Sequence, residues 1–219
     1  LHDFDGTLVT KDILDVACGI MGKEAESRKI NEEFHLGLRP GIETLVERIN
    51  FLKGITLDQV SDELDKNSYL MPGAQEWIKF LKENNIVVIL HSGNIEPILK
   101  YYQDLLKIDY IIGTKPKIED ETIQGIEETN VPKPNFKVER IDLILKKLGI
   151  SPEDTLAIGD SIADKKVFEY AGSSIAINPK GGVEKYATYT IEADLSLAIA
   201  LTKKEMQNIE GSKRVTGSS

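Results

Sequence analysis

LHDFDGTLVT, residues 1–10, places Asp3 and Asp5 two positions apart at the end of an apolar start, with Gly6 and Thr7 forming a turn behind them. Two like charges at that spacing repel, and burying either one is costly unless something compensates. A second acidic run, GDSIAD (159–164), follows the apolar stretch TLAI (155–158) in the same manner. If both stretches end strands of one parallel sheet, their carboxyl ends lie side by side, where open α/β sheets bind ligands. Asp3, Asp5 and Asp160 then converge on one point. Three hard oxygen donors there suit an ion such as Mg²⁺, which would relieve the repulsion.

Further short apolar runs bounded by turn residues support such a sheet: NNIVVILHSGN (84–94), IDYIIGT (108–114), DTLAIGDS (154–161) and SSIAINP (173–179). They alternate with longer helical patterns, which predicts an α/β fold, a Rossmann-like parallel sheet with helices on both faces. Residues 12–69 are too many for one crossover helix and read as helical throughout. Ile42, Leu45, Val46, Ile49 and Leu52 lie on one helical face, and Leu57, Val60 and Leu64 begin another. The expectation is a small helical cap at 12–69, inserted after the first strand into a core of residues 1–11 and 70–210. IIGTKPKIEDETIQGIEE (111–128) predicts a β-hairpin beside the sheet. Asp3 has only two residues before it, so the first strand is expected to begin upstream of the given chain. EGSKRVTGSS (210–219) is small, polar and aperiodic, and a disordered tail is expected over 211–219.

Composition narrows the function. With 41% hydrophobic and 29% charged residues among 219, the chain has the makings of a globular core and not of a disordered tract. A net charge of −9 argues against nucleic acid as the main ligand. A single cysteine, Cys18, rules out an intrachain disulfide and fits a reducing cytoplasm. No run of about 18 apolar residues suggests a membrane partner. The spacing of His2, His35 and His91 fits no zinc pattern, and these histidines are read as structural; Cys18 and Trp77 are read as core or interface residues.

Ser92 follows the strand IVVIL and precedes the helical IEPILKYYQDLL, so its hydroxyl and the amides of Gly93 and Asn94 could hold an anion at a helix N-terminus. Four motifs in order, DFDGT, SG, the lysine in NFKVERIDLILKKLG, and GDSIAD, make the chain resemble the haloacid dehalogenase-like phosphatase superfamily, and within it the phosphoserine phosphatase-like group. The resemblance covers the chain to about residue 200 and implies a core fold with a helical cap. It implies that Asp3 is the nucleophile, that Asp5 is the acid and base, and that Ser92 and Lys137 hold the phosphoryl group. It further implies Mg²⁺ at Asp3, Asp5 and Asp160, with Asp164 supporting the metal site. The chemistry is consistent with this, since a carboxylate can take up a phosphoryl group and split hydrolysis into two displacements.

The phosphoserine enzymes of that group carry an acidic residue after the first motif and an arginine on a later cap helix, suited to an ammonium and a carboxylate. Asp12 and Arg48 stand at comparable spacings. Asp12 also fits a helix N-cap, and Arg48 a surface ion pair. Asn94 and Ala163 replace the group's usual glycine and asparagine. The expected activity is Mg²⁺-dependent hydrolysis of a small phosphorylated metabolite, phosphoserine first. The alternatives are a phosphatase or phosphotransferase for another phosphometabolite, and a catalytically silent phosphate-binding regulator.

Overall fold

The computed structural model describes residues 1–216, with side chains through residue 209. Six parallel strands form the main sheet: β1 (His2–Asp3), β2 (Ile89–Ile95), β3 (Tyr110–Thr114), β6 (Leu156–Gly159), β7 (Ser173–Ile177) and β8 (Tyr189–Ile191), in the order β3-β2-β1-β6-β7-β8. The two acidic strands are therefore neighbours, His2 pairing with Ile158 and Asp3 with His91. Both sheet faces are apolar, as a parallel sheet between helices requires. Along the strands the side chains alternate: Ile89, Ile112, Ala157 and Ala176 join one buried cluster, whereas Leu90, Ile158, Ile175 and Ile177 join the other. The first cluster is covered by α7 (Phe136–Leu148) and α8 (Lys165–Tyr170), through Ile141, Leu145, Val167 and Phe168. The second is covered by α5 (Ala74–Glu83), α6 (Glu96–Leu106) and α9 (Ala198–Thr216), with Trp77, Ile98, Tyr102 and Ala198 buried.

Between β1 and α5 the chain forms α1 (Ile13–Ile20), α2 (Glu24–His35), α3 (Gly41–Asn50) and α4 (Leu57–Lys66). Asp12 caps α1, accepting from Asp15 N, and Thr56 caps α4 in a reciprocal box with Gln59. Ile49, Leu52, Val60 and Leu64 are buried, as their helical spacing predicts.

The expected hairpin forms, the expectation for the tail needs correction, and one strand was not expected. The hairpin, β4 (Ile118–Glu119) with β5 (Thr122–Ile123), forms a sheet of its own and is bonded to the α3–α4 connection instead of the main sheet: Gly54 N donates to Ile123 O at 2.8 Å and Ile123 N to Ile55 O at 2.8 Å. The tail expected from residue 211 continues α9 in its backbone to Thr216, because the good helix formers before it propagate past a single glycine; positions 217–219 of that expectation lie outside the described residues. Finally, β8 gave no sequence signal. Among the described residues no helix is long and apolar enough to cross a membrane.

Candidate active site

Asp3 ends β1, Ser92 lies in β2, Asp160 follows β6 and Lys180 follows β7, so the carboxyl edge of the sheet gathers the charged groups. They line a cleft of about 680 Å³, roofed by Asp12, Asn31, Phe34, His35 and Arg48 from the inserted helices.

Two charge clusters share it. In the first, Lys137, on the first turn of α7, donates from Nζ to Asp3 Oδ1 at 2.9 Å and to Asp164 Oδ1 at 3.0 Å. Thr7 Oγ1 donates to Asp3 Oδ2 at 3.3 Å, and Lys180 Nζ pairs with Asp160 Oδ2 at 2.9 Å. Asp164 also accepts from the amides of Asp160 and Ser161, which fixes the loop after β6. Burial and then the charge of Asp164 push the Asp3 carboxyl well above its ordinary value, and burial likewise raises Asp160. Burial works against the Lys137 ammonium, but Asp164 and Asp3 outweigh it and hold that charge firmly in place. Three carboxylates against two ammonium groups leave this cluster short of positive charge.

The second cluster surrounds Asp5. Ile13 N donates to its Oδ1 at 2.7 Å, Ser92 Oγ to its Oδ2 at 3.1 Å, and Asn94 Nδ2 reaches both oxygens at 3.3 Å. Burial, followed by the charge of Asp12, pushes the Asp5 carboxyl up to about 7. The Asp5 side chain is thus turned toward Asn94 and α1, and the structure brings together only Asp3, Asp160 and Asp164 of the four proposed metal residues. Their donors are all hard oxygens, and Lys180 already marks one cation position on Asp160. Gly6, at φ +79°, makes room for that carboxylate: a Cβ on Gly6 would lie 2.1 Å from Asp160 Oδ2. These residues fit a small divalent cation.

Ser92 differs from expectation. It sits inside β2, whose pairing with β3 shifts register between His91 and Ile95, and α6 starts only at Glu96, so Ser92 and the Gly93 and Asn94 amides are not at a helix N-terminus. Ser92 Oγ accepts from Asn94 N at 3.0 Å while donating to Asp5.

Asp12 and Arg48 line the cleft and are joined to each other. Arg48 Nη2 meets Asp12 Oδ1 at 2.5 Å and Asp15 Oδ1 at 2.9 Å, and its Nε donates to Ser27 Oγ at 2.9 Å. Asn31 Nδ2 donates to Asp12 Oδ2 at 2.9 Å. The N-cap reading of Asp12 is present, whereas the surface ion pair expected as the alternative for Arg48 is not: Arg48 pairs with Asp12 and Asp15 but is itself buried. Sequence reasoning missed Lys180, Asp15, Ser27 and Thr7. Lys180 carried a usable signal, since it follows the apolar strand SSIAI at the same sheet edge; Asp15 and Ser27 carried none, because their meeting depends on how α1, α2 and α3 cross.

A parallel sheet whose carboxyl edge pairs one aspartate with a lysine and a cluster short of positive charge, and sets a second aspartate among neutral donors, is suited to phosphoryl transfer through a carboxylate. The family model for haloacid dehalogenase-like hydrolase matches residues 1–169, and the chain belongs to that family, in its phosphoserine phosphatase-like group. It is a phosphatase. It is 33% identical over 192 residues to a phosphoserine phosphatase of Methanocaldococcus jannaschii, covering 88% of this chain and 90% of that protein. Two solved structures are similar, each with a TM-score of 0.81 and 30% identity over 91% of this chain: a phospho-aspartyl intermediate analogue of phosphoserine phosphatase (96% of that chain) and a substrate-bound phosphoserine phosphatase complex (95%).

Proposed function

We propose that the protein hydrolyses phosphoserine to serine and inorganic phosphate, as a cytoplasmic enzyme of serine biosynthesis. The observation that carries this reading is the separation of the two aspartates into different hydrogen-bond environments: Lys137 Nζ donates to Asp3, whereas Ile13 N, Ser92 Oγ and Asn94 Nδ2 donate to Asp5. Asp3 attacks phosphorus, while Asp5 protonates the departing serine alkoxide, leaving a phosphoryl group on Asp3. Asp5 then takes a proton from water, which attacks the same phosphorus, releases phosphate and restores Asp3. Lys137 and Ser92 bind the phosphoryl oxygens and place them in line. Asp3 and Asp160, with Asp164 behind them, would hold Mg²⁺, which supplies positive charge to those oxygens. Residues 12–69 act as the cap that excludes bulk water and reads the leaving group. Asp12 offers its charge to the substrate's ammonium, and Arg48, with Nε and Nη2 engaged, offers Nη1 to the carboxylate.

The test is Asp3→Asn, nearly isosteric but a poor nucleophile. With phosphoserine and Mg²⁺ it releases no phosphate above background while its circular dichroism and melting match the wild type. Substantial steady-state turnover by the folded variant would refute the assignment.

A further inference from the structure

His91 stands directly opposite Asp3 in the sheet and is completely buried, and neither of its ring nitrogens has a hydrogen-bond partner among the described residues. A buried imidazole in that state calls for an explanation, because buried polar atoms are almost always satisfied. Its Nδ1 lies 3.8 Å from Asp3 Oδ1. One ligand atom each from Asp3, His91 and Asp164 lies within 4.8 Å of the other two. Lys137 Nζ touches both carboxylates, at 2.9 and 3.0 Å, so the position between them already holds a cation. The donor set is mixed: two carboxylate oxygens and one imidazole nitrogen. Mg²⁺ favours oxygen alone, whereas zinc takes this combination readily.

We propose that Asp3, His91 and Asp164 form an inhibitory zinc site in which the metal competes with the Lys137 ammonium. Tetrahedral bonds of about 2.0–2.2 Å place ligand atoms roughly 3.3–3.6 Å apart, so the 3.8 Å separation of His91 and Asp3 closes with a movement of less than one ångström. Asp3 and Lys137 both line the cleft, which gives the ion a route in. Zinc so held occupies an oxygen of Asp3 and displaces Lys137, and turnover stops. That consequence rests on the phosphatase reading; the binding does not.

The experiment measures zinc affinity of metal-free protein by competition with a chromophoric chelator, in a large molar excess of Mg²⁺, for wild type, His91→Leu and Lys137→Met. The wild type is expected to bind one zinc per chain despite the Mg²⁺, His91→Leu to bind at least about tenfold more weakly, and Lys137→Met to bind more tightly. Cobalt added to the wild type should give the visible absorption of a four-coordinate nitrogen and oxygen site, lost in His91→Leu. Equal affinity in wild type and His91→Leu overturns the proposal. If His91→Leu does not fold, Lys137→Met decides: zinc bound no more tightly than by the wild type, or displaced from both proteins by Mg²⁺, overturns it as well. Zinc binding as expected by a protein that hydrolyses no phosphoserine would sink the proposed function and leave this site standing.

Discussion

Arg48→Ala tests how much of the site is architecture. The guanidinium is buried between Asp12 and Asp15, whose side chains are 22% and 9% exposed, so its removal leaves two carboxylates facing each other with little water to shield them. Breaking a buried pair by deleting one partner costs about 3–5 kcal/mol. For a chain of this length that corresponds to a fall of roughly 10 °C in Tm. The defect depends on pH with a definite sign. Burial and then Asp12 raise the Asp15 carboxyl, with Arg48 opposing them. A carboxyl raised in the folded state loses stability as pH rises through its unfolded value, because the unfolded chain gives up the proton first. Deleting Arg48 removes the opposing pull, so the loss should widen from about pH 4 toward neutrality and narrow in acid. Urea unfolding at acid and neutral pH measures both quantities, and Arg48→Ala/Asp15→Asn should recover part of the loss. A change below about 1 kcal/mol at neutral pH, the size expected of an exposed pair, would refute the reasoning. Under conditions where the variant is folded, kcat/KM for phosphoserine should fall by about 2–4 kcal/mol and that for a small aryl phosphate far less; equal losses would assign Arg48 to structure alone.

With Asp5 raised to about 7, kcat should decline as pH rises through that value and the proton needed by the leaving group is lost; a flat profile from about pH 5 to 9 would remove Asp5 from the role. A chelator should abolish phosphate release and Mg²⁺ restore it, whereas Ca²⁺, which takes more oxygens at longer distance, should inhibit; full activity in excess chelator contradicts the metal assignment. Gly6→Ala combines a positive φ with a Cβ 2.1 Å from Asp160 Oδ2, and should lose about 2 kcal/mol of stability along with most activity; wild-type melting and turnover would show that the loop relaxes freely.

Those elements whose physics is local could be read in advance. The strands β2, β3, β6 and β7 announce themselves as apolar runs closed by turn residues, and α3 and α4 by helical spacing, because one or two turns of chain contain the whole signal. β8 has only Tyr189, Thr190 and Ile191, and becomes a strand by pairing with β7, a tertiary effect that no three-residue window carries. Asp3, Asp5 and Asp160 were legible as strand-end acids. Asn94 replaces the glycine usual in the group, and its side-chain amide nitrogen holds Asp5 while its Oδ1 accepts from Ile95 N at 2.8 Å. What the sequence could not convey was direction: which way each carboxylate turns depends on the register of β1 between β2 and β6.

That direction explains why two like charges can stand two residues apart. Along an ideal strand, residues i and i+2 share a face, and Asp3 and Asp5 would then crowd one point. Here β1 ends at Asp3, so the chain has left the regular ladder before the second carboxylate is placed, and Gly6 at φ +79° turns it immediately after Asp5. Asp3 accordingly meets Asp164, Lys137 and Asp160, while Asp5 meets Asp12, Ile13, Asn94 and Arg48, and neither aspartate is among the main influences on the other's acidity. The repulsion is divided between two environments. One is lined by lysines and open to a cation, whose charge would oppose the burial and the Asp164 charge that raise the Asp3 carboxyl; the other, lined by neutral donors with another carboxylate nearby, raises the Asp5 carboxyl to about 7. Two residues with the same side chain are thereby available for different roles, and the end of β1 at Asp3 is what separates their environments.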